Sequence, residues 1–169
     1  GLAHRYGRRM QLISGIHYNF SLPDAVWPSA GLGDANRADM ALIRNFRRHA
    51  WLLLYLFGAS PAVCRCFVEG RSHSLQQLSA DALYLPYATS LRMGRIGYLG
   101  KAQEALAVSC NDLESYAASL EAGLTKSHPA YEAIGVRDGT GYRQLATTLL
   151  QIENEHYTTN RPKRVIHAG

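Results

Sequence analysis

The 169-residue chain has 47% hydrophobic and 18% charged residues, a composition typical of a globular protein. Its length suffices for one substantial core, because roughly 150 residues is a common domain size. The formal charge of +5 fits anionic ligands, including nucleotides and nucleic acid, without choosing between them. The longest apolar run, residues 50–59, is shorter than the about 20 residues that a helix needs to cross a bilayer.

Three cysteines cannot all pair with one another. Cys64 and Cys66 are one residue apart, a spacing that is neither CxxC nor that of a zinc knuckle. We therefore predict that these two residues and Cys110 are structural thiols in a reducing cytoplasm.

The first predicted element in chain order is a β-strand over residues 10–22. Its even positions are nearly all apolar and its odd positions mostly polar, and a strand alternates its side chains between two faces. We therefore expect Tyr18 and Phe20 to be buried and His17 to face an open groove. Neutral imidazole is a common ligand for divalent ions, and Gly15 leaves room for a ligand beside it. The alternative is a histidine that is only hydrogen-bonded or exposed.

A long helix is predicted next, over residues 34–57, because apolar residues recur there at three and four positions. The apolar stripe consists of Met40, Ile43, Phe46, Ala50, Leu53, Leu54 and Phe57. Arg44, Arg47 and Arg48 are spread through the middle of this helix, where they either grip phosphates or are simply solvated.

Shorter elements are predicted for the remainder of the chain. We expect a short helix at 62–67, a strand at 83–93, a glycine-bearing loop at 94–100, helices at 111–124 and 129–134, and a final strand at 145–157. Pro86 indicates an edge or an irregular entry for the second strand. No repeat, low-complexity tract or convincing linker divides the chain, so we predict one α+β unit.

Two glutamates form the second polar pattern. Glu153 and Glu155 are two residues apart in the predicted final strand, so both would point to one side. Like charges this close repel by about 1 kcal/mol or more unless water or a cation neutralises them. They therefore face either solvent or a cation. Hard oxygen ligands suit magnesium, which usually bridges to the phosphates of a nucleotide.

Arg92 and two tyrosines are further candidates for a polar cleft. A guanidinium at the end of a strand can hold a carboxylate with two parallel hydrogen bonds, although an isolated arginine is more often structural or exposed. Tyr98 and Tyr157 are either hydroxyl donors in the same cleft or packing residues. GxGxxG, GxxxxGK[ST], HExxH and GxSxG motifs are absent, which argues against familiar nucleotide-loop, zinc-protease and serine-hydrolase chemistry.

Six ordered motifs are spread over nearly the whole length of the chain. They are RYG at 5–7, QLISGIHYNFSLP at 11–23, YLFGASP at 55–61, LPYATSLRM at 85–93, QIENE at 151–155 and RPKR at 161–164. Together they resemble the bacterial glutamate–cysteine ligases of the proteobacterial type. Members of this family are several times longer, so residues 1–169 are expected to be the central portion of a single catalytic domain, with the N- and C-terminal parts of the same enzyme as partners.

The resemblance implies the first step of glutathione synthesis. ATP phosphorylates the γ-carboxylate of glutamate, and the amine of cysteine displaces the phosphate to give γ-glutamylcysteine. It also implies a fold similar to that of glutamine synthetase, in which an antiparallel sheet carries helices on one face and holds magnesium, ATP and glutamate on its concave face. A cytoplasmic enzyme without a nucleic-acid or membrane partner is expected, and the segment alone is expected to be inactive.

The resemblance also assigns roles to particular residues. His17 matches the histidine of the magnesium–phosphate site, and Arg92 matches an arginine that holds the substrate carboxylate. Residues that match the lining of the cysteine pocket are Ile13, Tyr98 and Tyr157. Strand geometry places Glu153 and Glu155 in the same cleft as carboxylates that face the metal.

Two other functions remain open from the sequence. One is another carboxylate–amine ligase on the same scaffold, which would join glutamate to a different amine. The other is a basic module that binds nucleic acid and predicts aromatic side chains interleaved with basic ones on an exposed face. Its basic residues would be Arg44, Arg47, Arg48 and the run 161–164. Phe46, Trp51 and Tyr55 instead fall in or beside the predicted buried stripe, which disfavours this module.

Overall fold

The computed structural model describes residues 1–9, 15, 17–58, 61–91 and 101–163. The helices are α1 (Leu2–Tyr6), α2 (Val26–Ser29), α3 (Ala35–Phe57), α4 (Lys101–Glu104), α5 (Leu113–Thr125) and α6 (Pro129–Ile134). The strands are β1 (Ala62–Cys64), β2 (Gln76–Gln77), β3 (Ala82–Tyr84), β4 (Arg137–Asp138) and β5 (Gly141–Tyr142). Short 3₁₀ helices cover Arg65–Phe67 and Glu153–Glu155. The described part of the chain is therefore a mixed α+β arrangement.

The strands form two small antiparallel sheets. One has the order β1-β3-β2, and the other pairs β4 with β5. Val68, Leu75, Leu83 and Leu91 form a core beside the three-stranded sheet. Separate apolar clusters join α3 to the entry of α5, and α4 and α6 to Leu149. Among the described helices, none is long and apolar enough to cross a membrane.

Helix α3 confirms the long predicted helix. The Asp34 carboxylate caps it by accepting hydrogen bonds from the backbone N–H groups of Asn36 and Arg37, at 2.9 and 3.3 Å. Its first half buries Met40 and Ile43 against Cys110, which precedes α5. The helix is therefore positioned mainly through its first four turns.

The predicted burial of the α3 stripe is only partly confirmed beyond Ile43, since Ala50 is buried and Leu54 is half-buried. Phe46, Leu53 and Phe57 are exposed, and the exposed fraction of Phe57 is 77%. The periodicity of a sequence indicates which residues share a helix face. It does not indicate how far along that face another element reaches.

Helices α5 and α6 agree closely with the predicted segments 111–124 and 129–134. Asp112, rather than its neighbour Asn111, caps α5, because its carboxylate accepts a 2.7 Å hydrogen bond from the N–H of Ser115. Pro129 is the first residue of α6. A backbone N–H at this position has no acceptor within the helix, so proline, which lacks the N–H, is tolerated there.

The predicted short helix at 62–67 is half wrong. Residues 62–64 form strand β1, which pairs with β3 in the register Val63↔Leu83, and only Arg65–Phe67 is helical, as one 3₁₀ turn. The observed strand is much shorter than the predicted strand at 83–93. Strand β3 ends at Tyr84, and the chain turns at Tyr87, which has a φ of 64°. Arg92, Met93 and the loop 94–100 lie outside the described residues.

The predicted strand at 10–22 is only partly described, since residues 10–14 and 16 lie outside the described ranges. Residues 17–22 are not a strand, and the expected burial of two aromatic side chains is wrong. Tyr18 is 87% and Phe20 is 73% exposed. Alternation produces a strand only where a neighbouring strand satisfies its backbone groups, and no such neighbour pairs with the described residues 17–22.

The predicted final strand at 145–157 is also wrong. Thr148 makes one isolated bridge with Ser127, and the N–H of Leu150 donates to the carbonyl of Gly123 at 2.8 Å. The segment therefore docks on the C-terminal half of α5 and then forms the 3₁₀ helix Glu153–Glu155. Leu149 and Leu150 are both buried, whereas Leu145 and Ile152 are exposed, so burial along the segment does not follow the alternation of a strand.

Gly123 in α5 provides a test of this docking. A Cβ atom there would lie 2.9 Å from side-chain atoms of both Leu106 and Leu150. We expect Gly123→Ala to lower the free energy of unfolding by about 1–2 kcal/mol, because overpacking outweighs the better helix propensity of alanine. Denaturant titration measures the change. Gly139→Ala is the control, since nothing lies within 4 Å of its added Cβ, and equal stability of the two variants would contradict the packing.

Candidate functional site

The centre of the described structure is the side chain of Arg5, which projects from α1 and is 0% exposed. A guanidinium has five N–H donors, and all five of them are used. Nε donates to Oε1 of Gln144 at 2.9 Å, and Nη1 donates to Oε1 of Glu155 at 3.2 Å. The other three reach the backbone carbonyls of Ala146, Thr148 and Leu149 at 2.6, 2.8 and 3.1 Å. The guanidinium carbon also lies 3.9 Å from the ring centroid of Tyr131, a cation–π contact.

Glu155 balances this buried charge. Its side chain is 2% exposed, and Oε1 accepts a 2.8 Å hydrogen bond from the hydroxyl of Tyr6 in addition to that from Arg5. Oε2 accepts a 2.5 Å hydrogen bond from the N–H of Gln151. Burial raises the pKa of Tyr6 far above its usual value, and the adjacent carboxylate raises it further. Tyr6 therefore stays protonated, and its hydroxyl donates a hydrogen bond to Glu155.

Gln103 in α4 holds the backbone on both sides of His156. Its amide Nε2 donates to the carbonyl of Glu155 at 2.8 Å, and its Oε1 accepts from the N–H of Tyr157 at 3.0 Å. The Gln103 side chain is buried. We refer to Arg5, Tyr6, Gln103, Gln144 and Glu155 together as the Arg5 network.

The Arg5 network joins the three parts of the chain that carry the predicted site residues. Helix α1 lies shortly before the segment with Ile13 and His17, and α4 begins shortly after the segment with Arg92 and Tyr98. The 3₁₀ helix Glu153–Glu155 lies immediately before Tyr157. The network thus fixes one end of each segment relative to the other two, which is the positional control that a site on several segments requires.

The structure places some predicted site residues and leaves others outside its described ranges. His17 is exposed in a stretch without regular structure, Glu153 is exposed, and Tyr157 is half-buried with its N–H on Gln103. Ile13, Arg92 and Tyr98 lie outside the described residues. Their roles remain predictions.

The strand geometry that placed Glu153 and Glu155 on one side is wrong. They begin and end a 3₁₀ helix, in which residues two apart differ by about 120° around the axis. Glu153 therefore faces outward, where it accepts a 3.3 Å hydrogen bond from the amide of Asn154, and Glu155 faces the buried guanidinium. Whether either carboxylate faces a metal remains a prediction.

The described side chains do not by themselves fit a magnesium ion. Within the described ranges, no three His, Cys, Asp or Glu side chains come close enough to hold a metal. Magnesium needs near-octahedral oxygen ligands, and both oxygens of Glu155 already accept hydrogen bonds from Tyr6, Arg5 and Gln151. The described side chains alone are therefore not sufficient to hold this ion.

Two arginines of α3 have structural partners. Nη1 of Arg44 donates to the carbonyls of Cys110 and Asn111 at 2.6 and 2.8 Å. Arg47 donates to the side chain and the carbonyl of Asn160 at 2.9 and 3.1 Å. These guanidiniums hold neighbouring loops against the helix, which disfavours a basic module for nucleic acid.

Sequence reasoning missed Arg5 and Gln103 as organising residues. Arg5 belongs to the RYG motif, so the motif drew attention to this residue. An arginine is usually exposed, however, and nothing in the local sequence indicated that Arg5 is buried. Gln103 lies in a four-residue helix, and nothing in its local pattern distinguishes it from a solvated glutamine.

The family profile described as Glutamate-cysteine ligase matches residues 1–169, the whole chain. The chain belongs to the glutamate–cysteine ligase family. The match confirms the resemblance that the ordered motifs indicate.

Individual relatives agree with this assignment. Glutamate–cysteine ligases of Janthinobacterium sp. (strain Marseille) and Pseudomonas putida (strain W619) are 53% and 52% identical over 178 residues, which cover 100% of this chain and 34% of each relative. A crystal structure of glutamate–cysteine ligase from Francisella tularensis in complex with AMP is 36% identical, with a TM-score of 0.86. That match covers 98% of this chain and 34% of the solved chain. The chain therefore spans about a third of the length of the relatives it matches.

Glu155→Gln tests the Arg5 network. The substitution keeps the shape of the side chain and leaves a buried guanidinium without its counter-charge, so we expect the free energy of unfolding to fall by about 3–5 kcal/mol. Glu69→Gln is the matched control, because Glu69 pairs with Arg9 in an exposed ion pair at 3.1 Å. Such pairs contribute about 1 kcal/mol or less. Denaturant titrations of both variants that gave similar small losses would show that the buried pair does not hold the fold together.

His156 makes stability depend on pH. Burial lowers its pKa below the usual 6.5, and the positive charges of Arg47 and Arg161 lower it further. The unfolded chain therefore binds a proton at a higher pH than the folded chain does, so the free energy of unfolding should fall as the pH drops below about 6.5. We expect His156→Gln to flatten this slope in denaturant titrations between pH 5 and 8, whereas the exposed-site control His73→Gln keeps it. An unchanged slope in His156→Gln would contradict the assignment.

Proposed function

We propose that the complete polypeptide carrying this chain is an ATP- and magnesium-dependent glutamate–cysteine ligase of the cytoplasm. ATP would phosphorylate the γ-carboxylate of glutamate, and the amine of cysteine would displace the phosphate to form the amide of γ-glutamylcysteine. The observation that carries the proposal is the match of the whole chain to one family. The likeness to a ligase solved with AMP supports the nucleotide part of the reaction.

We further propose the roles that the sequence assigns to individual residues. Arg92 binds the carboxylate of glutamate as a bidentate partner and is the catalytic candidate, and His17 belongs to the magnesium–phosphate site. The proposed cysteine pocket is lined by Ile13, Tyr98 and Tyr157. The Arg5 network supports this grouping, because it anchors the flanks of all three segments.

The two glutamates have different surroundings, and we propose different roles for them. Glu153 is exposed and free of ion pairs shorter than 4 Å to described residues, so its carboxylate remains able to face a cation. Metal binding by Glu155 would compete with its hydrogen bonds from Arg5 and Tyr6. We therefore assign Glu153 to the metal side of the site and Glu155 to the support of Tyr157.

Exposed apolar side chains support a catalytic domain larger than this chain. The last turns of α3 and the segment after His17 carry exposed aromatic and aliphatic groups at Tyr18, Phe20, Trp51, Tyr55, Leu56 and Phe57. Large apolar side chains exposed at several neighbouring positions often mark a surface that another polypeptide segment covers. We propose that the remaining N- and C-terminal parts of the same enzyme cover it, and that they complete the glutamine-synthetase-like sheet and supply the other magnesium ligands.

An activity measurement on the complete protein tests the proposed function. Phosphate release should require ATP, glutamate and cysteine together, and mass spectrometry should identify γ-glutamylcysteine as the product. Replacing cysteine by amines with larger or charged side chains should reduce turnover. A preference for another amine would identify a different glutamate–amine ligase, and the absence of glutamate-dependent phosphate release would refute the proposal.

Arg92→Ala in the complete protein tests the role of its guanidinium. Loss of a bidentate contact with the glutamate carboxylate, worth on the order of 2–4 kcal/mol, should lower kcat/KM for glutamate by roughly 30- to 1000-fold. Nucleotide affinity should change little. Steady-state kinetics with each substrate varied separately provide the measurement. Arg48→Ala, at an exposed position on α3, is the control, and an unaltered glutamate requirement in Arg92→Ala would show that the residue is wrongly assigned.

A further inference from the structure

The thiols of Cys64 and Cys66 lie together on the surface. Their Sγ atoms are 2.6 Å apart, and both side chains are exposed. Even an N–H···O hydrogen bond between smaller atoms is usually about 2.9 Å long. The contact is only about half an ångström longer than the roughly 2.05 Å of a disulfide bond. The expectation that all three cysteines are structural thiols fits the buried Cys110 but not this pair.

The surrounding backbone holds the two thiols on the same side. Cys64 ends β1 opposite Ala82 of β3, and its Sγ accepts a 3.3 Å hydrogen bond from the N–H of Cys66. Arg65, which lies between the two cysteines, is held against the segment before β3. Its backbone N–H donates to the carbonyl of Asp81 at 2.8 Å, and its Nε donates to the carbonyl of Ala80 at 3.2 Å. The proximity of the sulfurs is therefore a consequence of the strand end and the following 3₁₀ turn.

The two thiols differ in acidity. The pKa of Cys64 is lowered, first by the hydrogen bond from the side chain of Cys66 and then by that from its backbone N–H. The pKa of Cys66 is raised, first by its side-chain hydrogen bond to Cys64. The nearby charges are mixed: Arg9 favours the Cys66 thiolate, while Glu69 and Asp81 oppose ionisation of the pair. Cys64 is thus the better thiolate, and Cys66 is the proton donor beside it.

We infer that Cys64 and Cys66 form a dithiol site that reduces small disulfides, with Cys64 as the attacking thiol and Cys66 as the resolving thiol. The inference rests on their geometry and is independent of the ligase reaction. The substrate class is a low-molecular-weight disulfide, because both thiols are exposed and a small disulfide reaches them from solvent.

The exchange proceeds in two balanced steps. The Cys64 thiolate attacks one sulfur of the disulfide R–S–S–R, so the S–S bond breaks, a mixed disulfide forms on Cys64 and RS⁻ leaves to take up a proton. The deprotonated sulfur of Cys66 then attacks Cys64, which forms the Cys64–Cys66 disulfide and releases the second RSH. Two protein thiols are oxidised by two electrons, and the external disulfide is reduced to two thiols.

The test treats the freshly reduced, purified protein with bis(2-hydroxyethyl) disulfide and maps the quenched product by mass spectrometry without reduction. We expect a disulfide that joins Cys64 and Cys66, detected as peptide material containing both residues with a mass two hydrogens below that of the dithiol form. Two equivalents of 2-mercaptoethanol should be released. A product with a separate mixed disulfide on each cysteine, or with neither residue modified, would overturn the inference. This result from the unaltered protein is decisive without any variant.

Three serine variants separate the roles of the thiols. Cys66→Ser should still react at Cys64, because the backbone N–H of residue 66 stabilises the Cys64 thiolate, and should stop at a stable mixed disulfide there. Cys64→Ser should react at Cys66 at least about threefold more slowly near pH 7, because that N–H is directed at the side chain of residue 64 and not at the sulfur of Cys66. Cys110→Ser is the control and should behave like the unaltered protein. Circular dichroism establishes that each variant is folded. Equal reaction rates for Cys64→Ser and Cys66→Ser would refute the distinction between attacking and resolving thiol.

Discussion

The buried guanidinium of Arg5 is the interaction on which the rest of the described structure depends. A charge that is removed from water is tolerated only when its donors are satisfied and its charge is balanced. Arg5 meets both conditions, since all five N–H groups have acceptors and Glu155 lies at 3.2 Å. Because three of these acceptors are carbonyls of an irregular segment, the side chain takes over the role that a neighbouring strand would have in a sheet.

The candidate site combines buried residues that hold the backbone in place with exposed residues that are proposed to contact ligands. Glu155 and Gln103 are buried and hydrogen-bonded on both ends, whereas His17 and Glu153 are exposed. The proposed ligase reaction would require a nucleotide, an acid and an amine to be held by groups that do not move when substrates bind. The buried and fully hydrogen-bonded Arg5 network is suited to such support.

The sheet beside Cys64 illustrates a second consequence of irregular structure. Cys64 ends β1 and lies just outside the following 3₁₀ helix, so its sulfur accepts the N–H of Cys66. The two side chains are therefore closer than residues i and i+2 of a continuous strand, which share a face but are about 6.6 Å apart along it. The same helix type separates Glu153 from Glu155, where one side chain turns outward and the other inward. In both places, the local backbone geometry of a 3₁₀ helix or of its first flanking residue decides which side chains come together.

The sequence by itself determined the family, through its ordered motifs, and the elements whose signals are local. Asp34, the apolar spacing after it and Pro129 specify α3 and α6 within short stretches of chain, so periodicity and capping suffice for their prediction. The irregular path of residues 145–157 and the burial of Glu155 were decided only by tertiary structure. They depend on Arg5, which lies 150 residues from Glu155 along the chain, and no local pattern encodes a partner at that separation. For the same reason, the sequence placed Tyr157 in a candidate site but could not show that Gln103 holds its backbone.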